Sequence, residues 1–208
     1  MRGKFITFEG PEGGGKTTQA KRLVARLQAA GHQVVYTREP GGTPTGEAIR
    51  DILQHNKAGE APCSETEVLL FAASRAQLVR HVIIPALERG EWVVCDRFAD
   101  STTAYQGYGR GFSVEQMIAI NAFAIDGAQP DLTILLDLPV SDGFARLQQR
   151  GGQKDRIESE ALDFHERVRA GYLELAKRWP ERFRIVDPRG ALESVAEAIW
   201  NLVQREQR

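Results

Sequence analysis

The stretch Glu9-Gly10-Pro11-Glu12-Gly13-Gly14-Gly15-Lys16-Thr17-Thr18 leaves this chain few folds to choose from. Gly10, Gly15, Lys16 and Thr17 occupy the fixed places of G-x-x-x-x-G-K-[ST]. Before it, Phe5-Ile6-Thr7-Phe8 is short, apolar and β-prone, which predicts a buried strand. After it, Leu23, Val24 and Leu27 recur at helical spacing, which predicts a helix beginning near Lys16. Strand, glycine loop and helix start make a cradle for phosphate. Glycines let backbone N–H groups wrap an anion with no Cβ in the way, and the helix N-terminus adds the positive end of its dipole. Lys16 supplies a point charge for the outer phosphates, and the Thr17 hydroxyl a ligand for Mg²⁺.

The remainder alternates strands with helices. Strands are expected at 33–37, 92–95, 131–137 and 183–186. Helices are expected around Ile49–Leu53, from Glu65 to about Arg89 with Ser64 as N-cap, over 114–125, 143–149 and 162–179, and from about Leu192. Pro85 inside the long helix predicts a kink or break. Residues 99–111 are rich in glycine and hydroxyls, and 150–158 is charged and lacks apolar anchors. Such alternation calls for an α/β fold, a five-stranded parallel sheet with helices on both faces. Right-handed crossovers bring the strand C-termini to one edge, where ligands bind. The glycine loop, Arg38-Glu39, Asp96-Arg97 and Asp137 should all meet there. No boundary divides the 208 residues, so a single domain is expected.

With 27 basic and 28 acidic residues the formal charge is −1, so no basic field points to nucleic acid or an anionic membrane. No signal peptide and no bilayer-spanning segment is expected, and Cys63 and Cys95 read as buried free thiols of a reducing cytoplasm.

A phosphate loop specifies a nucleotide, not a reaction. Arginines at strand ends and loops, namely Arg38, Arg97, Arg110, Arg150 and Arg156, extend the reading. The guanidinium fork matches phosphate oxygens, and Arg38 and Arg97 are the prime candidates for clamps. Asp96 closes an apolar strand, a position from which an acid holds Mg²⁺ through water or pairs with a neighbouring arginine. Phe71 and Arg75, four apart, share a helix face. A ring beside a donor fork suits a nucleobase, although an aromatic on an apolar helix also serves as core.

Taken together, the motifs resemble the bacterial thymidylate kinases, of the P-loop nucleoside monophosphate kinase type. The matching blocks are Gly10 to Thr17, Thr37 to Thr43 (T-R-E-P-G-G-T), Leu70 to Gln77 (L-F-A-A-S-R-A-Q), Asp96 to Gly111, Pro130 to Thr133, and Asp155 to Glu158 (D-R-I-E). They are spread over most of the length in family order. The resemblance implies transfer of the γ-phosphoryl of ATP to dTMP, with Mg²⁺, in a cytoplasmic homodimer that supplies dTTP synthesis. It implies ATP on Gly10, Pro11, Glu12, Gly13, Gly14, Gly15, Lys16, Thr17, Thr18 and Arg146. It implies Phe71 stacked on thymine, Arg75 and Gln106 on its edge, and Tyr105 under the sugar where a ribose 2′-hydroxyl would project. Arg38 and Arg97 would hold the acceptor phosphate, with Ser101 beside them. Glu12 would face the sugar 3′-hydroxyl. Thr17, Glu39 and Asp96 would organise the metal. A mobile lid would span about 146–158. Some relatives carry an arginine in the loop directly after its acid; here that place is Gly13, so a lid arginine is expected to supply the charge. Arg150 is the leading candidate for that catalytic part, beside Lys16, Arg38, Asp96 and Arg97, with Arg146 and Arg156 left open. The rivals are a kinase of another monophosphate and a nucleotide switch; the latter's N-K-x-D motif is not met at Asn56-Lys57-Ala58-Gly59.

Overall fold

In the computed structural model, residues 2–55, 59–151 and 155–205 are described, without the side chains of residues 55 and 150. Five strands, β1 (Phe5–Glu9), β2 (Val34–Arg38), β3 (Trp92–Asp96), β4 (Leu132–Leu136) and β5 (Phe183–Val186), form one sheet in the order β2-β3-β1-β4-β5. Every pairing is parallel. The helices are α1 (Lys16–Ala29), α2 (Pro44–His55), α3 (Ser64–Leu78), α4 (Ile84–Glu88), α5 (Ala99–Thr102), α6 (Val114–Ile125), α7 (Val140–Arg150), α8 (Leu162–Arg178) and α9 (Leu192–Arg205).

The period of two along each strand divides the core. Ile6, Phe8, Trp92, Val94, Leu132, Ile134 and Leu136 face α1 and α9 on one side. Phe5, Val93 and Cys95 face the α3–α4 stretch on the other, where Leu135 and Phe183 join Phe164, Val168, Tyr172 and Leu175 of α8. Thr7 and Thr133, buried in neighbouring strands, satisfy each other at 3.0 Å. Both cysteines are free; Cys95 is buried as expected, whereas Cys63, expected buried, is exposed at the N-terminus of α3.

Two expectations about the helices change, and one stretch without an expectation proves helical. The long helix neither breaks nor stops at Pro85. It widens to a π-helix over Val79–Ile83, where the Ile84 N–H reaches back to the Val79 carbonyl. Pro85 has no N–H and its ring crowds the carbonyl four residues back, so one wider turn lets the helix pass the proline. The N-cap of α3 is Cys63, one residue before the serine expected there. Residues 99–109 are helical throughout, α5 passing into a second π-helix over Thr103–Gly109. Close packing requires the small residues there: a Cβ on Gly109 would lie 2.7 Å from the Phe164 ring.

The run Ser64–Glu88 does reach the length and hydropathy (1.3) of a membrane-crossing helix, contrary to the expectation that no segment would. Here it packs against α2 and α6 and buries Glu67 and Arg75, two charges that hydrocarbon would tolerate only at great cost.

Candidate active site

The carboxyl ends of β1, β2 and β3 and the loop between β1 and α1 surround a cavity of about 500 Å³. Its lining includes Glu12, Gly13, Gly15, Lys16, Thr17 and Thr18 of the loop, the strand-end residues Arg38, Glu39, Asp96 and Arg97, Phe71 and Arg75 of α3, and Ser101, Tyr105 and Gln106. Predicted residues from Glu12 to Arg146 thus line one cavity, whereas Gly10, Pro11 and Gly14 are not among its lining.

The loop end is closely built. Gly15 caps α1 with φ at +83°. Lys16 is buried, and its Nζ donates to the Pro11 carbonyl at 2.7 Å. Burial, with the Arg97 cation nearby, pushes the Lys16 ammonium down to about 8. Gly13, at φ +73°, lies against α7: a Cβ there would sit 2.4 Å from the Gly143 carbonyl oxygen, and one on Gly143 would sit 2.3 Å from that of Glu12. The place where some relatives carry an arginine is thus closed to any side chain while α7 holds this position.

At the strand ends, the Thr17 hydroxyl donates to Asp96 Oδ2. Arg97 takes the left-handed conformation, φ +68°, at a cost of roughly 1–2 kcal/mol for a residue with a Cβ. Its N–H continues the sheet onto the Phe8 carbonyl at 2.9 Å, and its side chain turns back over the loop. There Nη2 meets Glu12 Oε1 at 2.6 Å, and Nη1 donates to the Gly10 carbonyl, Ser101 Oγ and Tyr172 OH. Glu12 Oε1 also accepts the Tyr105 hydroxyl at 2.6 Å. Burial alone would raise the Glu12 carboxyl; Arg97, Lys16 and the Tyr105 bond outweigh it and bring it to about 2. Arg38 pairs with Glu47 at 2.7 Å, and its buried Nε has no acceptor among the described residues.

A second cluster is organised by α3. Arg75 is fully buried and gives Nε and Nη2 to Glu39 Oε2 (2.9 and 2.6 Å), Nη1 to Asn121, and Nη2 also to Thr102 and the Phe98 carbonyl. Glu39, expected on the metal, therefore spends one oxygen on Arg75; its Oε1 has no donor among the described residues. Burial pushes the Glu39 carboxyl up to about 7, against the pull of Arg75. Gln106 turns its Nε2 to Glu67 at 2.7 Å.

Two expected arginines are committed to protein partners. Arg156 donates to Glu67 and to the Leu53 carbonyl, and Arg146 to the carbonyls of Gly13 (3.3 Å) and Pro188 (2.9 Å). The Arg150 side chain, and residues 152–154 of the expected lid, lie outside the described residues. Asp137 reaches the same rim but is clasped at both oxygens by Arg169. Sequence reasoning missed Arg50, which lines the cavity, and the buried pair Glu9 and Tyr172 behind Ser101. Glu9 closes an apolar strand just as Asp96 does, so the same signal was present for it. Glu67, Arg50 and Tyr172 carry no mark in the sequence.

A phosphate loop opening α1 from β1, cations at the strand ends and a pocket with a ring and a donor fork together define a P-loop kinase that acts on a nucleotide-sized acceptor. The thymidylate kinase family model matches residues 8–199. A thymidylate kinase of Deinococcus radiodurans is 52% identical over 97% of both chains. One of Thermomicrobium roseum is 53% identical over 96% of this chain and 93% of its own, and one of Caulobacter vibrioides 49% over 97% and 96%. The chain belongs to the thymidylate kinase family, and is a nucleotide-binding transferase.

Proposed function

We propose that this cavity joins ATP and dTMP end to end and transfers the γ-phosphoryl group, giving ADP and dTDP for dTTP synthesis. One observation supports the assignment of roles: the glycine loop, Arg38, Arg97 and Phe71 line one cavity. The acceptor phosphate loses its second proton near pH 6 and is already a nucleophile at neutrality, so no general base is needed. The barrier is the repulsion of two anions and the need to align them. Lys16 and the loop amides hold the donor. Arg97, locked over the loop, and the Nε of Arg38, a buried donor in want of an acceptor, hold the dTMP phosphate. Phe71 stacks on the base, Arg75 and Gln106 read its edge, and Tyr105, fixed by Glu12, fills the space beside the sugar. Arg150, the lid arginine that the family resemblance points to, reaches the transferring group.

The residues fit Mg²⁺. The Thr17 hydroxyl and the Asp96 carboxylate are adjacent oxygen donors. A site with so few protein oxygens is one that an ion completes with phosphate and water, and no cluster of three His, Cys, Asp or Glu able to hold a metal occurs among the described residues. The Oε1 of Glu39 would be offered to the ion's water. When bound, the ion neutralises phosphate charge. We further propose a single domain with a lid over 146–158, a cytoplasmic homodimer, and no nucleic-acid or membrane partner. Leu69 of α3 and Phe123 of α6, 61% and 86% exposed on helices that pack together, support the dimer.

The test is ADP production with ATP, Mg²⁺ and dTMP, against dUMP, CMP and GMP as controls. Robust turnover with dTMP is expected; equal or greater turnover with CMP or GMP would overturn the base assignment.

A further inference from the structure

Glu67 is a charge buried behind the cavity wall, and it is outside the site residues assigned above. It stands one helical turn before Phe71 and two before Arg75 on α3, so the three share a face. It is 1% exposed and does not line the cavity. Four donors from three residues converge on it: Gln106 Nε2 at 2.7 Å, Arg110 Nε at 2.7 Å and Nη2 at 3.0 Å, and Arg156 Nη2. Arg110 is braced in turn by Glu160 at 2.8 Å, and Arg156 by the Leu53 carbonyl at 3.1 Å.

We propose that Glu67 is a positioning residue that sets which way round the Gln106 amide stands, and so selects a pyrimidine with a hydrogen on N3. The proposal rests on the reading of Gln106 as a base reader. A glutamine amide is nearly symmetric in shape and can present either its oxygen or its NH₂ to a ligand. An ionised carboxylate can only accept. Burial alone would raise the Glu67 carboxyl, but the hydrogen bonds from Arg110, Gln106 and Arg156 hold it below its ordinary value, so it is ionised at neutral pH. It therefore fixes Nε2 to itself. The amide oxygen is the arm that Glu67 does not hold, and Gln106 lines the cavity, so it is the arm left for a bound base. An acceptor at that place suits the N3–H of thymine. Cytosine brings a lone pair on N3 to the same oxygen, and a buried acceptor facing an acceptor is penalised on both sides.

Steady-state kinetics of the full chain with dTMP, dCMP and N3-methyl-dTMP test this in the unaltered protein and in Glu67→Gln. The unaltered protein is expected to favour dTMP strongly over both others. In Glu67→Gln the partner amide offers donor as well as acceptor, Gln106 can turn over, and the dTMP to dCMP ratio of kcat/KM is expected to fall by roughly tenfold or more. Should circular dichroism show that variant misfolded, Glu67→Asp keeps the charge among the arginines but falls one methylene short of Gln106, and the ratio is expected to fall again. A folded variant that loses kcat/KM equally for dTMP and dCMP would overturn the proposal, since a purely structural role moves both together. Good turnover of N3-methyl-dTMP by the unaltered protein would instead sink the reading of Gln106 itself, and this proposal with it.

Discussion

Lys16 shows how much of this site is set by burial. A lysine in water stays charged well past neutrality, but here burial and the neighbouring Arg97 cation bring its pKa to about 8. A bound triphosphate favours the charged ammonium and raises that pKa again. Binding at pH 8 is therefore expected to take up close to about half a proton, and affinity to fall as pH rises through 8. Calorimetry in two buffers of different ionisation heat measures the uptake; a value of zero at pH 8 would contradict it. Arg97 is a second residue whose placement no local rule predicts. Its left-handed backbone is held because its N–H must finish the ladder with β1 while Phe98 turns its own N–H to Glu9 Oε1 at 2.7 Å. The sequence marked Arg97 as a strand-end cation, but not that its fork would be shared among Glu12, Ser101 and Tyr172.

Among the elements, α7 and the glycine loop depend on each other most directly. Gly13 and Gly143 let two backbones approach to a distance that no Cβ permits. Gly143→Ala should therefore push α7 away from Glu12 and disturb the donor end alone. Overpacking of this kind costs about 1–3 kcal/mol, so KM for ATP should rise roughly tenfold while KM for dTMP stays within about twofold. Steady-state titration of each substrate checks this, and an equal rise in both would argue against a local effect. The two π-helices make the same point about elements. Pro85 announced a disturbance in the long helix, yet whether the helix would break, kink or widen depended on what it packed against. The turn at 103–109 has no proline to announce it, and there Tyr105 and Gln106 are presented to the cavity from a glycine- and hydroxyl-rich stretch for which the sequence suggested no regular element.

For the whole molecule, the exposed apolar residues of α3 and α6 lie apart from the cavity lining, so a change there tests partner binding separately from chemistry. Phe123 and Leu69 lie on the outer surface of α6 and α3 and do not line the cavity. Phe123→Asp is expected to give a monomer by sedimentation with its fold intact by circular dichroism. An unchanged sedimentation coefficient would remove this face as the dimer contact.

The order of strands and helices, the phosphate loop and the strand-end residues were legible because each rests on local chemistry: period two against period 3.6, glycines where a chain must wrap an anion, charges that close apolar runs. Those signals also carried Lys16, Thr17, Arg38, Asp96 and Arg97 into the candidate site. Only the tertiary structure decided the sheet order, the partner each charge takes and the direction it points. Glu39 belongs to Arg75, Arg156 to Glu67 and Asp137 to Arg169. Those pairs join residues 36, 89 and 32 positions apart. A charge is visible in a sequence, but its partner is chosen by whatever the fold brings within about 3 Å once water is removed.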